Sequence, residues 1–259
     1  MAVANESVRL VRKGVESYFN EDTLTETLHN LPLPDVTVTF TANQAEDKNW
    51  NEEWEKAGFE PIIIDNRCAI VCKNMEEEAI ANYPQLETIP MKILIDAQQA
   101  FGTGTHETTQ IIVSLLLNQD LKNKRVLDCG CGTGILGIVA AKCGAREVVS
   151  YDIDEWSVRN AEHNAELNGV ELDVLEGDKR VLSHVSGVFD VILANINRNI
   201  ILEDIDEFVS VMTTDSKIIL SGFYEQDAEA ILQKANELGL KENQRLLNHD
   251  WCCLLLERQ

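Results

Sequence analysis

One stretch near the middle of the chain restricts the fold more than any other. Residues 126–134 read VLDCGCGTG, in which a short apolar run leads directly into Gly130, Gly132 and Gly134. An apolar helical pattern from Ile135 to Cys143 follows, so we expect a strand to end abruptly where a helix begins. About twenty residues later a second apolar run, VVSYDID, ends near Asp152. This order predicts the opening of a nucleotide-binding βαβ unit.

The spacing of the glycines indicates which ligand to expect. They read G-x-G-x-G, whereas the dinucleotide fingerprint would need a glycine at Ile135. Without side chains the loop backbone can approach a ligand closely. Asp128, just before the loop, disfavours phosphate and suits an ammonium group, such as the amino-acid end of S-adenosylmethionine. Asp152 can then bind ribose hydroxyls. A tight turn without a ligand remains the alternative.

A second glycine-containing loop lies upstream, in MKILIDAQQAFGTGTHETTQ. It joins an apolar strand to a helix expected from Gln110 to Leu117. Threonines near the helix start can cap it, but the run Phe101, Gly102 and Thr103 exceeds what a cap needs and predicts backbone lying against a ligand. The ring of Phe101 is suited to a sulfonium cation or an adenine face. His106 is interpreted as a structural hydrogen-bonding residue rather than a catalyst.

Downstream, the pattern keeps alternating between strand and helix. We expect helices from Glu155 to Asn168 and from Ile200 to Met212, separated by two strands, then another strand, a helix and two closing strands. This alternation predicts a parallel sheet whose ligand lies at the carboxyl ends of the strands. At such ends, Asp178 can meet an adenine amino group and Asn195 can hold an incoming amine. Plain turn roles remain the alternatives for both.

The chain before residue 90 has a different character. Residues 7–31 are mostly helix or loop formers, and LPLPDVTVTFT then predicts a strand. Trp50 and Trp54 share one face of a charged helix, which either packs within the domain or contacts a protein substrate. PIIIDNRCAIVC predicts a hairpin that turns at Asp65-Asn66 and is followed by polar linker residues. We therefore expect three parts: a small α+β domain over residues 1–48, a helix and hairpin linker over 49–89, and the main domain over 90–259.

Charge and cysteine content limit the partners and the compartment. The 259 residues carry a net charge of −22, which disfavours direct contact with nucleic acid and favours a basic partner. The seven cysteines lack the spacing of a zinc site, so no metal is expected, and free thiols fit a reducing cytoplasm. No signal peptide or membrane-length apolar run is evident. A cytoplasmic monomer that binds no membrane is expected.

Four motifs occur in a characteristic order: AFGTGTHETT, VLDCGCGTGILGI, VVSYDIDEW and VILANI, preceded by NWNEEWEKAGFEP. With them the chain resembles the ribosomal protein L-eleven (L11) methyltransferase family, which trimethylates amines of that large-subunit protein. The resemblance implies a Rossmann-like, seven-stranded α/β methyltransferase sheet with an antiparallel last strand, S-adenosylmethionine as cofactor and basic L11 as partner. It also implies cofactor contacts by Thr109, Gly130, Asp152 and Asn195.

Two regions depart from the family's pattern. Asp96-Ala97-Gln98-Gln99 replaces the usual Asp-Pro-Gly-Met, so this turn is expected to be less preorganised. The region before residue 48 is short for the family's substrate-recruiting domain.

Together, residues and resemblance predict methyl transfer to a lysine side chain or an N-terminal amine. Asn195 is the predicted catalytic residue, because it can orient a neutral amine toward the methyl group without a strong base. Alternatives are a methyltransferase of the same fold acting on another protein or a small amine, and a non-catalytic module that binds the cofactor. RNA methylation is disfavoured by the charge and by the absence of an RNA-binding motif.

Overall fold

The computed structural model describes residues 7–12, 15–20, 58–97 and 102–258. The strand predicted in LPLPDVTVTFT, the helix with Trp50 and Trp54, and Phe101 lie outside the described residues. The chain forms two compact units, Met1–Trp50 and Asn51–Gln259. The finer division predicted above, with boundaries at residues 48 and 89, stays a prediction.

The first unit contains an antiparallel strand pair. β1 (Ser7–Arg12) and β2 (Val15–Asn20) pair along their whole length, from Arg12 opposite Val15 to Ser7 opposite Asn20. The prediction of helix or loop was therefore wrong for these two segments. Residues 7–10 alternate between polar and apolar side chains, Ser-Val-Arg-Leu, and this two-residue period favours a strand over a helix.

A three-stranded sheet opens the described part of the second unit. Asp65 and Asn66 turn the predicted hairpin with φ of 53° and 52°, a conformation that Asp and Asn tolerate better than most residues. The third strand runs parallel to the second. The strands are β3 (Ile62–Ile64), β4 (Cys68–Cys72) and β5 (Met91–Ile95).

The segment between β4 and β5 is structured, although a polar linker was expected. It contains two short 3-10 turns and helix α1 (Glu76–Asn82). Ala79 and Leu86 are buried and pack in one cluster with Val71 of β4. These few apolar residues are enough to fold a segment that is otherwise polar.

The large sheet has seven strands in the order β11-β12-β10-β9-β6-β7-β8. The strands from β6 to β10 run parallel, and β12 lies antiparallel between β10 and β11, as the resemblance implied. The strand order reverses between β6 and β9, where a ligand crevice forms in such sheets. The strands are β6 (Arg125–Cys129), β7 (Glu147–Asp152), β8 (Asp173–Glu176), β9 (Phe189–Asn195), β10 (Met212–Tyr224), β11 (Leu240–Asn248) and β12 (Trp251–Arg258).

Helices cover both faces of this sheet. One apolar cluster joins α2 and α3 to the face that carries Leu193, and it also includes Ile70 and Ile93 of the small sheet. The other joins α5 and α6 to the face that carries Ile192. None of the helices within residues 58–97 and 102–258 has the length and apolarity to cross a membrane. The helices are α2 (Glu107–Leu116), α3 (Ile135–Lys142), α4 (Glu155–Asn168), α5 (Arg198–Ser210) and α6 (Ala228–Glu237).

Candidate functional site

A cavity of about 520 Å³ lies at the carboxyl ends of β6 to β9, within the size range of small-molecule pockets. Predicted site residues from several separate segments line it: Gly102, Thr109, Gly130, Gly132, Asp152, Asp178 and Asn195. Thr103, Asp128 and Gly134 are described but are not among its lining residues. The fold therefore brings most of the predicted residues around one space.

The glycine loop after β6, residues 130–134, is fixed by backbone hydrogen bonds to β7. The N–H groups of Gly130 and Cys131 both donate to the Tyr151 carbonyl, at 2.9 and 3.0 Å. Gly130 has φ of 68°, and a Cβ there would lie 2.6 Å from Cγ2 of Ile196. The loop thus passes closer to the end of β9 than a residue with a side chain would allow.

Asp152 presents a fixed carboxylate to the cavity. Its Oδ2 accepts the Gly132 N–H at 2.9 Å, and its Oδ1 accepts the Asp154 N–H at 3.1 Å. Each carboxylate oxygen has two lone pairs, so both keep acceptor capacity. This geometry suits a pair of adjacent hydroxyls.

Asp128 lies beneath the loop. It is 1% exposed, and its Oδ2 accepts the Gly137 N–H at 3.0 Å in the first turn of α3. Because Gly134 at the N-cap has no side chain, Asp128 does the capping from the preceding strand. Burial raises the pKa of Asp128 to about 7, with a smaller contribution from Asp152, and the bond from Gly137 opposes this rise. Its predicted contact with a ligand ammonium group stays a prediction.

Asn195 ends β9 and meets α2. Its Nδ2 donates to Oγ1 of Thr109 at 3.3 Å, which orients the amide and leaves its carbonyl oxygen to accept a hydrogen. Helix α2 begins at Glu107, three residues earlier than predicted, because His106 caps it: its Nδ1 accepts the Thr108 N–H at 3.3 Å. His106 thus makes the kind of structural hydrogen bond that was predicted for it, and the prediction that it is not a catalyst stays a prediction.

The upstream loop, residues 102–106, is held by side chains. The hydroxyl of Thr133, in the other glycine loop, donates to the Gly102 carbonyl at 2.6 Å. Gly102 has φ of 108°, and a Cβ there would lie 3.0 Å from that hydroxyl. The Thr103 and Thr105 hydroxyls are hydrogen-bonded to each other at 2.8 Å. One loop therefore supports the other.

Three asparagines of α4 hold the strand that leads into this upstream loop. They are four residues apart and share one helix face. Asn168 donates to the Leu94 carbonyl and accepts from its N–H, at 2.7 and 2.9 Å. Asn164 accepts the Asp96 N–H at 2.9 Å, and Asn160 donates to the Asp96 carbonyl at 2.7 Å. These amides bond to the backbone as a neighbouring strand would. They therefore fix Asp96, the first residue of the Asp96-Ala97-Gln98-Gln99 turn that departs from the family pattern. The last two residues of that turn lie outside the described residues.

Asp178 lies two residues after the end of β8, and its carboxylate is already hydrogen-bonded to Arg180. Its carboxylate oxygens accept from Nε of Arg180 at 2.8 and 3.0 Å. The side-chain bond to Arg180, with a backbone bond from the same residue, lowers the pKa of Asp178. An adenine amino group would share an acceptor that already serves Arg180.

One wall of the cavity was missed by sequence analysis. Nζ of Lys179 lies 2.9 Å from Oδ1 of Asp204 on α5, and it also donates to the Glu203 carbonyl at 3.0 Å. Burial raises the pKa of Asp204, against the opposing bond from Lys179. Ile200 lines the same wall, three and four residues before the two acids. That helical spacing, directly after Asn195, is the signal that would have located this wall.

The charges of the cavity suit a cationic ligand. Its lining includes four carboxylates, and Lys179, the one Lys or Arg among the described lining residues, is paired. A phosphate would be repelled, whereas a sulfonium or ammonium group would be attracted. Ile153, which is 73% exposed at the rim, adds an apolar surface that sequence analysis also missed. No cluster of three or more possible metal ligands occurs in the described part of the chain.

The strand order and the acidic cavity at its switch point define a Rossmann-like methyltransferase of the class that uses S-adenosylmethionine. Comparison with known proteins gives the family, since the family described as Ribosomal protein L11 methyltransferase (PrmA) matches residues 2–259. The chain belongs to this family.

Relatives agree with this assignment. The ribosomal protein L11 methyltransferase of Bacteroides fragilis is 46% identical over 226 residues, which cover 87% of this chain and 78% of the relative. That of Phocaeicola vulgatus is 44% identical over 247 residues, covering 93% and 85%. A crystal structure of the ribosomal protein L11 methylase from Lactobacillus delbrueckii subsp. bulgaricus superposes with a TM-score of 0.68 at 32% identity, covering 78% of this chain and 100% of that one.

Proposed function

We propose that this chain transfers methyl groups from S-adenosylmethionine to lysine side-chain and/or N-terminal amines of large-subunit ribosomal protein L11. The observation that carries the proposal is the position of Asn195, whose amide is oriented by Thr109 at the wall of the acidic cavity. Relatives and a solved neighbour carry the name of this activity. The cytoplasm is the proposed compartment, which the seven free cysteines support.

The residues of the cavity fit the cofactor in chemistry, and its volume of about 520 Å³ is that of a small-molecule site. Asp152 would accept hydrogen bonds from the ribose hydroxyls, and Asp178 would meet the adenine amino group. The backbone at Gly102, Gly130 and Gly132 would lie along the amino-acid portion. Five further predicted residues would complete this site directly or by supporting its walls: Phe101, Thr103, Thr109, Asp128 and Gly134.

The chain's contribution to the reaction is alignment. When bound, S-adenosylmethionine supplies a methyl group on a positively charged sulfur, and transfer to nitrogen breaks the carbon–sulfur bond and leaves its electron pair on sulfur. The amine must be neutral, although a free lysine has a pKa of about 10.4. Removal from water beside a positive charge lowers that pKa. The Asn195 carbonyl would then accept one amine hydrogen, direct the lone pair and let the displaced proton leave to water.

Charge supports a basic protein as the methyl acceptor. A net charge of −22 would attract a basic polypeptide over a distance of about one Debye length. Within this proposal, residues 1–48 form a shortened substrate-recruiting domain, 49–89 connect it, and 90–259 carry the catalytic domain. Raising the salt concentration should slow the encounter with L11, and a rate that is insensitive to salt would contradict steering.

The test uses the full chain, unmethylated purified L11 and labelled S-adenosylmethionine, with product masses as the readout. Asn195→Ala should lower kcat about 10- to 100-fold, because the amine loses its orienting acceptor, an effect of about 1.4–2.7 kcal/mol on the barrier. The cofactor Kd, measured by calorimetry, should change less than kcat. Asn243→Ala, at an exposed asparagine of β11, is the matched control and should leave kcat unchanged.

Either of two results would overturn the proposal. Absence of labelled L11 with the folded wild-type chain would remove the substrate assignment. Equal kcat for Asn195→Ala and wild type would remove the catalytic role of Asn195.

A further inference from the structure

Three aromatic rings lie together at the carboxyl edge of the sheet, outside the cofactor cavity. The Trp251 ring stacks on Tyr224 with centroids 4.3 Å apart and an interplanar angle of 29°. It also meets the His106 ring edge-on, at 4.6 Å and 69°. Tyr224 is 44% exposed, and the other two are partly exposed. We refer to Tyr224, Trp251 and His106 as the aromatic surface.

A continuous set of contacts joins the aromatic surface to Asn195. In the sheet, Asn195 pairs with Ser221, three residues or about 10 Å along β10 before Tyr224. Tyr224 pairs with Trp251. On the helix side, the His106 carbonyl accepts the Thr109 N–H at 3.1 Å, and the Thr109 hydroxyl accepts from Asn195. The aromatic surface is therefore connected to Asn195, the predicted position of the reacting amine, over a distance of about 10 Å along the sheet.

The aromatic surface and Asn195 face the same side of the sheet. Leu193, two residues before Asn195, belongs to the apolar cluster under α2, and Trp251 packs against that same cluster. The cofactor cavity is built mainly on the ends of β6 to β9, whereas the aromatic surface is built on β10 and β12. An amine that approached over the aromatic surface would reach Asn195 from the flank away from the bulk of the cavity.

Carboxylates lie near two of the three aromatic rings, Tyr224 and His106. A second cavity, of about 450 Å³, is lined by Tyr224, Glu225, Gln226 and Asp250. Oε2 of Glu107 lies 4.0 Å from Nδ1 of His106. Acids alone attract any cation, but aromatic faces also bind a methylated ammonium, which has fewer N–H groups for hydrogen bonding and is held well by cation–π contact. The combination fits lysine and its methylated forms.

We propose that the aromatic surface binds the target lysine side chain of the substrate protein, and in particular its monomethylated and dimethylated forms, next to Asn195. This inference rests on the proposed function and assigns the residues that hold the amine between successive methylations. In each later round, the methylammonium gives its proton to water, a new carbon–nitrogen bond forms, and the carbon–sulfur bond breaks with its electron pair going to sulfur. Separate sites for the two reactants let the spent cofactor exchange while the side chain stays bound.

The test compares peptides that carry unmodified, monomethylated or dimethylated lysine. Trp251→Leu and Tyr224→Leu remove an aromatic face and should raise KM for the dimethylated peptide about 10-fold, with a smaller rise for the unmodified one. Products from unmodified L11 should shift from trimethylated toward monomethylated and dimethylated lysine. Trp251→Phe and Tyr224→Phe keep a ring and should restore most of the wild-type KM. Trp156→Leu, at an aromatic residue of α4 that is 52% exposed, is the matched control and should behave as wild type.

Failure of this inference can be told apart from failure of the proposed function. If the wild-type chain methylates L11 and both leucine variants keep its KM values and product distribution, the aromatic surface has no such role. If the wild-type chain does not methylate L11, calorimetry with a trimethyllysine peptide still decides: binding that Tyr224→Leu weakens about 10-fold supports the surface, and equal or absent binding overturns it. Tyr224 variants also cover the case in which Trp251→Leu does not fold, because Tyr224 is the more exposed of the stacked pair.

Discussion

The two glycine loops that wall the cavity are held in different ways. Residues 130–134 are held by β7, where Gly130 and Cys131 both donate to the Tyr151 carbonyl and Gly132 donates to the Asp152 carboxylate. Residues 102–106 depend on side chains from elsewhere, above all the Thr133 hydroxyl on the Gly102 carbonyl. The strand before them is bonded by the asparagines of α4.

The two loops therefore differ in how far their conformation depends on distant parts of the chain. The 130–134 loop is held mainly by its own strand, its own helix and the next strand in the chain, with one added bond from α4. The 102–106 loop takes its position from Thr133 and, through the strand before it, from α4. Asn164 joins the two systems, because it accepts the Asp96 N–H and donates to the Thr133 carbonyl at 3.0 Å. Substitution of Asn164 should therefore disturb the position of both loops.

The largest expected effect is on the pH dependence of the unfolding free energy and comes from Asp128, which lies beneath the 130–134 loop. Because the pKa of Asp128 is raised from 3.8 to about 7, the folded chain keeps a proton that the unfolded chain loses between these values. The resulting stability is fully present below pH 3.8 and is lost as pH rises through about 7. Over that window the wild type should lose about 4 kcal/mol, at most, relative to Asp128→Asn, which cannot ionise.

Urea unfolding of both chains at pH 4, 5.5 and 7.5 measures this difference. Asp215→Asn, at an exposed position of β10, is the control for replacing a carboxylate with an amide elsewhere in the sheet. A constant difference between Asp128→Asn and wild type across the three pH values would mean that the carboxyl group is ionised normally.

The second prediction concerns Asn164, which is hydrogen-bonded both to the upstream strand and to the 130–134 loop. Asn164 is fully buried, and Asn164→Leu would leave the Asp96 N–H and the Thr133 carbonyl without this partner, which should cost about 3 kcal/mol. The cofactor Kd should rise about tenfold, since a shift of about an ångström in a supporting wall is enough to weaken a site.

Asn168→Leu is the matched comparison, because Asn168 bonds to Leu94 but not to either loop. It should lower the unfolding free energy by a similar amount while changing the cofactor Kd about twofold or less. Equal effects of the two variants on cofactor affinity would show that α4 supports the site only through general stability.

The smallest effect compares one glycine from each loop. Gly130→Ala should cost about 1–2 kcal/mol from its left-handed backbone and from the contact with Cγ2 of Ile196. Ile196→Ala removes that contact, so the double variant should recover about 1 kcal/mol in a double-mutant cycle. Gly102→Ala should have no such rescue, because φ of 108° is itself unfavourable for a side chain. Thr133→Ala removes the hydroxyl that a Cβ at Gly102 would meet. Recovery at Gly102 by Thr133→Ala to the same extent would contradict the comparison.

Local patterns predicted much of the fold correctly. Helix α4 begins at Glu155 and ends at Asn168, as expected, since Asp154 caps its start and Gly169 its end. The hairpin turn at Asp65-Asn66 also follows from neighbouring residues. The antiparallel position of β12 came from the family resemblance, because pairing between strands distant in the chain has no local signal.

The chain's own sequence determined the βαβ opening, the glycine loop at residues 130–134 and the acid at Asp152, because each depends on residues within about twenty positions and on backbone hydrogen bonds that any sequence of this pattern would form. Only the tertiary structure decided the burial of Asp128, the bonds from Asn164 to both loops, the pairing of Lys179 with Asp204 and the stacking of Trp251 on Tyr224. Those features depend on which side chains the sheet brings together and how much water it excludes from them, and neither is set by a residue's neighbours along the chain.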